Sequence, residues 1–131
     1  MFVDASALVA MVVREPEAAA FGQRARQATV RYTSPIAVYE AVLAISRIRR
    51  APIAQAQGVL DRFVVRASIQ VIPITVDIGR IAIEAFARFG RGNHPARLNM
   101  GDCFAYACAR TLGVPLLCKG GDFPQTDIEI A

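Results

Sequence analysis

The chain has one lysine, one histidine and only three cysteines, and each shortage removes a class of function. Cys103, Cys108 and Cys118 show neither a CxxC pair nor the Cys/His spacing of a zinc site. Cys103 and Cys108 fall within a helical apolar pattern, where free cysteine behaves as a small hydrophobe, so the thiols read as structural. His94 lies in an Asn-His-Pro stretch and reads as a solvated loop residue rather than a catalytic one. No apolar run approaches the roughly 20 residues of a membrane span. The N-terminal stretch lacks the basic segment and small-residue cleavage site of a signal peptide. Repeats, low-complexity tracts and linkers are also missing. At 131 residues, 54% hydrophobic and 20% charged, the chain is long enough to bury a core without disulfides. The expectation is one cytoplasmic domain over residues 1–131 with no membrane contact.

Arginine is plentiful instead. It supplies fourteen of the fifteen cations, and Lys119 is the remaining one. The net charge is a modest +4. Arginine's planar fork suits phosphate, which makes a nucleic-acid partner plausible, although a compositional bias towards arginine explains the same count.

Strand-like and helix-like segments alternate. Phe2-Val3 begins a strand, followed by helices over Ala5–Val13 and Glu15–Gln27, with Pro16 in the first turn of the second. "TVRYTS" reads as a strand, and Ser34-Pro35 as an N-cap and first helical residue launching "IAVYEAVLAISRIRR". A helix from Pro52 to about Ala67 leads to a strand "IQVIPIT". The next helix, Val76–Phe89, carries Ile78, Ile81, Ala82, Ala85 and Phe86 on one face. After the basic loop "GRGNHPARLN", the helix "MGDCFAYACARTLG" stops at Gly113. "VPLLC" reads as a strand buried on both faces, and "TDIEI" as a last edge strand. Such alternation predicts an α/β fold with a mainly parallel sheet wrapped by helices.

In open parallel sheets, sites form at the carboxyl ends of the strands. Asp4 ends the first strand. Asp122 follows "LLCKGG", where Gly120 and Gly121 permit a tight turn. Asp102 falls in a first helical turn that Asn99 can cap. Glu40 borders the apolar stripe of its helix, four residues after Ile36 and three before Leu43. Each has an ordinary structural reading: Asp4 as an N-cap, Asp102 as part of a capping pair, Glu40 as an arginine's partner, Asp122 as a turn former. Taken together they point elsewhere. Converging carboxylates repel unless a cation sits among them, and such hard oxygen donors select Mg²⁺ or Mn²⁺. Without these four acids the chain would carry +8 in place of +4. An acidic pocket in an arginine-rich surface suits a metal-dependent phosphodiesterase.

On these residues the chain resembles the PIN-domain proteins, specifically the VapC-type ribonuclease toxins. "VDASAL" looks like the family's D-x-S-A-L opening and carries Asp4 and Ser6. "SPIAVYEA" looks like the second acidic motif and places Glu40. "RLNMGDCFAYACA" is similar to "LNFGDCFAYA" and places Asp102. "LLCKGGDFPQTDI" is similar to "LLFKGDDFSRTDI" and places Asp122. The similarity runs from residue 2 to about 128, with Ala5 where threonine is common and Cys118 where phenylalanine is common. The resemblance implies a three-layer α/β/α sandwich, usually a homodimer, and Mg²⁺- or Mn²⁺-dependent hydrolysis of RNA. Asp4 and Asp102 would be the principal metal ligands, supported by Glu40 and Asp122, with Ser6 orienting a carboxylate. It further implies a small cognate VapB-type antitoxin covering the pocket.

Arg88, Arg91 and Arg97, around the loop before Asp102, are the candidates for the RNA backbone, with Lys119 beside Asp122. The plain alternative for each is a solvated surface charge. A phosphoacceptor signalling domain would need paired acids after the first strand, and here Ala5 follows Asp4. A DxD-type phosphatase would need a second aspartate where Ser6 stands. The remaining alternative is a catalytically silent PIN-fold binding module, which would show eroded acids. Motifs do not encode the RNA target, the number of ions, or the roles of Asp127 and Lys119.

Overall fold

Phe2–Val3 forms β1, one of the two inner strands of a four-stranded sheet in the computed structural model, which describes residues 1–131. The other strands are β2 (Arg31–Thr33), β3 (Ile69–Val71) and β4 (Leu116–Leu117), in the order β3-β2-β1-β4 and parallel throughout. Helices α1 (Ala5–Val13), α2 (Ala18–Gln27), α3 (Pro35–Arg49) and α4 (Ile53–Arg66) cover one face, and α5 (Val76–Phe89) and α6 (Met100–Leu112) the other. Successive strand residues point to opposite faces. Val3 and Leu117 therefore enter the core under α1–α4, while Phe2 and Leu116 enter the core under α5 and α6. The result is an α/β/α sandwich.

The helix starts follow from local chemistry. Ser34 Oγ accepts from the Ala37 amide at 3.2 Å and Pro35 opens α3. Asn99 and Asp102 form a reciprocal capping box at the start of α6, and Gly113 ends that helix in the left-handed conformation.

Several boundaries differ from the sequence reading. The second helix begins at Ala18 and not at Glu15, because Arg14 turns left-handed (φ 61°) and reverses the chain. Residues 15–17 form the turn, with Glu15 and Glu17 held by Lys119. The strand expected over "IQVIPIT" stops at Val71, since Pro73 offers no amide to a ladder. "TDIEI" makes only one bridge, Leu116 to Ile130, and is preceded by a 3₁₀ turn at Phe123–Gln125. Phe86 and Leu43, read as core-facing or adjoining the core stripe, are 45% and 42% exposed. His94 is half-buried: its Nδ1 accepts from the Ala96 amide at 3.1 Å and its ring meets Phe89 edge-on. All three cysteines are buried and free, as the apolar pattern implied.

Candidate active site

The strand order reverses at β1. The chain moves from β1 to β2 and β3 on one side, then returns to place β4 on the other. Beyond the carboxyl ends of β1 and β4 lies the switch point, where α/β proteins bind ligands. Asp4 follows β1, and its amide donates to Leu117 O at 3.0 Å, which ties it to β4. The loop after β4 carries Lys119 to Asp122 to the same edge, turning through Gly120 at φ 101°. Glu40 stands in the second turn of α3, which leaves the carboxyl end of β2, and Asp102 in the first turn of α6.

Asp4 is buried, 5% exposed, and caps α1. The Ser6 amide (2.9 Å) and hydroxyl (2.6 Å) both donate to its Oδ2, so Oδ1 keeps lone pairs for another partner. Ser6 Oγ in turn accepts from the Lys119 amide at 2.9 Å, locking the hydroxyl's direction and joining the β4 loop to Asp4. Asp102 behaves similarly, with Oδ2 accepting from the Asn99 amide at 2.9 Å. Glu40 is half-buried, and neither it nor Asp122 makes a side-chain hydrogen bond or ion pair.

The electrostatics record their convergence. Burial pushes the Asp4 carboxyl above its ordinary range, against the pull of the Ser6 hydrogen bonds. Burial, then the charges of Asp4 and Asp102, raise Glu40 to about 7. Asp102 rises to about 6, chiefly through burial and also through Asp4 and Asp122, while Arg91 pulls it down. The Cys118 thiol, at the end of β4, is pushed up to about 12 by burial and by Asp4, Asp102 and Asp122. Four carboxylates thus share one field with no cation hydrogen-bonded to any of them. They stop short of closing: as placed, no three His, Cys, Asp or Glu side chains are gathered tightly enough to grip an ion. The donor set itself is hard oxygen, and Glu40's unpartnered carboxylate fits a divalent cation of the Mg²⁺ type.

The cations divide. Arg91 lies within the field of Asp102, and Arg97 is exposed in the same loop. Arg88 is committed elsewhere: its Nη2 donates to Asp127 at 2.8 Å and its guanidinium lies 4.5 Å from the Phe89 ring centroid. Lys119 is likewise engaged, hydrogen-bonded to Glu15 at 2.7 Å and in charge contact with Glu17 at 3.3 Å. The second contact lacks hydrogen-bond geometry, for Glu17 Oε2 accepts no bond. Asp127, whose role the sequence left open, is a hub: Tyr106 Oη donates to it at 2.6 Å, and Arg88 and Arg110 pair with it.

The sequence reading also passed over Gly101. A side chain there would collide with the Glu40 carboxylate. Its signal was a glycine inside a first helical turn, where intrinsic propensity disfavours it.

The PIN domain model matches residues 1–129. A VapC ribonuclease of Rhizobium meliloti is 37% identical over 139 residues, covering 97% of this chain and 98% of the relative. Ribonuclease VapC28 of Mycobacterium tuberculosis is 39% identical over 132 residues, covering 100% and 97%. Among solved structures, the fold is similar to that of Mycobacterium tuberculosis VapC20, a sarcin–ricin loop cleaving toxin. That match has a TM-score of 0.76 at 19% identity and covers 99% of this chain and 97% of VapC20. With the acidic edge of its parallel sheet and these full-length relatives, the chain belongs to the PIN-domain family, among the VapC ribonucleases.

Proposed function

We propose that the chain is a Mg²⁺- or Mn²⁺-dependent endoribonuclease acting as the toxin of a toxin–antitoxin pair. One observation carries this reading: Asp4, Glu40, Asp102 and Asp122 gather at the sheet's switch point, where burial and the neighbouring carboxylates raise Glu40 and Asp102 and no cation is hydrogen-bonded to any of the four. Bound there, a divalent ion would lower the pKa of a water and stabilise charge on the scissile phosphate. The protein's own residues supply the frame. Ser6, held by the Lys119 amide, fixes the Asp4 carboxylate, and the Asn99 cap fixes Asp102. Asp4 and Asp102 each keep an oxygen that would hold the ion, with the Glu40 and Asp122 carboxylates beside them in support. Arg91 and Arg97 hold the RNA backbone beside the acids. The engaged Arg88 and Lys119 are poorer candidates.

A ribonuclease acting in the cytoplasm needs restraint, and an antitoxin that places an arginine among these acids would supply it. Exposed apolar side chains support protein partners, a second copy included: Tyr39, Leu43 and Ile53 border an α3–α4 groove, and Val76, Ile83 and Phe86 an α5–α6 groove. No helix is long and apolar enough to cross a membrane.

The deciding experiment maps cleavage ends in total RNA after brief expression of wild type and of Asp4→Asn, and repeats purified cleavage with EDTA. Cleavage that requires metal and Asp4 is expected. EDTA-resistant cleavage, or undiminished cleavage by a folded Asp4→Asn protein, would refute the proposal. Co-purification of a small partner from the native operon, with growth arrest when this chain is expressed alone, tests the antitoxin.

A further inference from the structure

Four glycines lie inside helices: Gly22, Gly58, Gly79 and Gly101. At the first two, an added Cβ would make ordinary contact with an arginine tip, and at Gly79 it would meet nothing within 4 Å. Gly101 differs. A Cβ there falls on Oε1, Oε2 and Cδ of Glu40, all closer than atoms can stand. Its backbone is not left-handed, so conformation alone does not ask for glycine. The volume that any other residue at position 101 would fill is held by the Glu40 carboxylate.

We propose that Gly101 is a positioning residue whose missing side chain seats the Glu40 carboxylate against the first turn of α6. No hydrogen bond or ion pair holds Glu40 there, so shape alone keeps the carboxylate beside Asp4 and Asp102. The helix start is a favourable place for it, because first-turn amides present a partial positive charge. Glu40 is also the far end of a flexible side chain. When its seat is filled it can swing into water with little disturbance of the fold, while alanine improves the helix. Gly101→Ala should therefore leave a folded protein whose fourth carboxylate has left the pocket. The functional consequence rests on the metal reading above; the seat does not.

The test compares wild type, Gly101→Ala, Glu40→Gln and the double variant, with two readouts. In Mn²⁺ calorimetry each single variant should lose affinity about 10-fold or more, as for other supporting groups at metal sites. The double variant should lose no more than either single one. In metal-free melts at pH 8, Glu40→Gln should raise Tm by a few degrees in the wild-type background, by removing a desolvated charge. In the Gly101→Ala background, where the carboxylate already lies in water, the same change should shift Tm by less than about 1 °C. Additive effects in both readouts, or wild-type Mn²⁺ affinity in Gly101→Ala, overturn the proposal. Should Gly101→Ala fail to fold, Gly101→Ala with Glu40→Ala decides. Rescue to the melting temperature of Glu40→Ala supports the seat, and a second failure assigns the glycine to backbone packing and ends the proposal. If wild type binds no Mn²⁺, the metal reading fails while the melting cycle still judges the seat.

Discussion

At Asp102, one carboxylate oxygen closes the capping box with Asn99 while the other takes no hydrogen bond. An asparagine oxygen can accept the same Asn99 amide from the third helical position, so Asp102→Asn separates structure from chemistry. The variant should fold, still bind RNA through arginine, and lose cleavage by more than about 100-fold, beyond the usual cost of removing a supporting group. Single-turnover assays at limiting Mg²⁺ alongside thermal melts check this. Wild-type rates in a well-folded variant would remove Asp102 from the site. Ser6 donates to the Asp4 carboxylate from both its amide and its hydroxyl. Ser6→Ala removes the 2.6 Å hydrogen bond but not the carboxylate, so activity should fall about 10- to 100-fold, with weaker metal binding.

At the scale of elements, the C-terminal segment is anchored at Asp127. This carboxylate accepts from Tyr106 on α6 and pairs with Arg88 on α5 and Arg110 on α6. The Tyr106 hydrogen bond, then the arginines, hold its pKa below the ordinary carboxylate range. Because Asp127 is 39% exposed, solvent screens the ion pairs. Asp127→Ala should destabilise by about 1–2 kcal/mol, mostly through the lost hydrogen bond, and leave metal binding intact. Urea unfolding measures it, and a selective loss of cleavage without loss of stability would contradict this structural role. Lys119 similarly pins the β4 loop to the α1–α2 turn through Glu15 and Glu17.

For the whole molecule, charge sets how stability varies with pH. Glu40 near 7 and Asp102 near 6 hold protons in the folded state that the unfolded chain releases at about pH 4. Between those values the native state binds more protons, so stability of the metal-free protein falls as pH rises from about 4.5 to 7. Asp127 acts in the opposite sense, its contribution being lost only as pH falls below the ordinary carboxylate range. Metal-free Tm should accordingly be several degrees higher at pH 5 than at pH 8. Mg²⁺ at 100 times its Kd should restore about 2.7 kcal/mol at pH 8. A Tm that is flat or rises over this interval without metal would show that the acids do not interact as described. Binding of RNA should weaken with salt, and Arg91→Ala or Arg97→Ala should each reduce the slope of log K against log salt by about 1.

The sequence by itself determined the alternation of strands and helices, the α6 capping box and the acids at segment ends. These follow from local signals: apolar period, proline and glycine punctuation, and residue types that accept from first-turn amides. It also carried the motifs by which the family was read. Only the tertiary structure decided which charges are free. Arg88 and Asp127 lie 39 residues apart and Lys119 and Glu15 104 apart, so no local pattern announces that these cations are taken. The same holds for Gly101 and Glu40, which come from different helices and meet because α3 and α6 both approach the carboxyl edge of the sheet. Exposure at Phe86 and Leu43 was equally out of reach. Helical periodicity gives the direction of a side chain, whereas burial depends on whether a second element arrives to cover it.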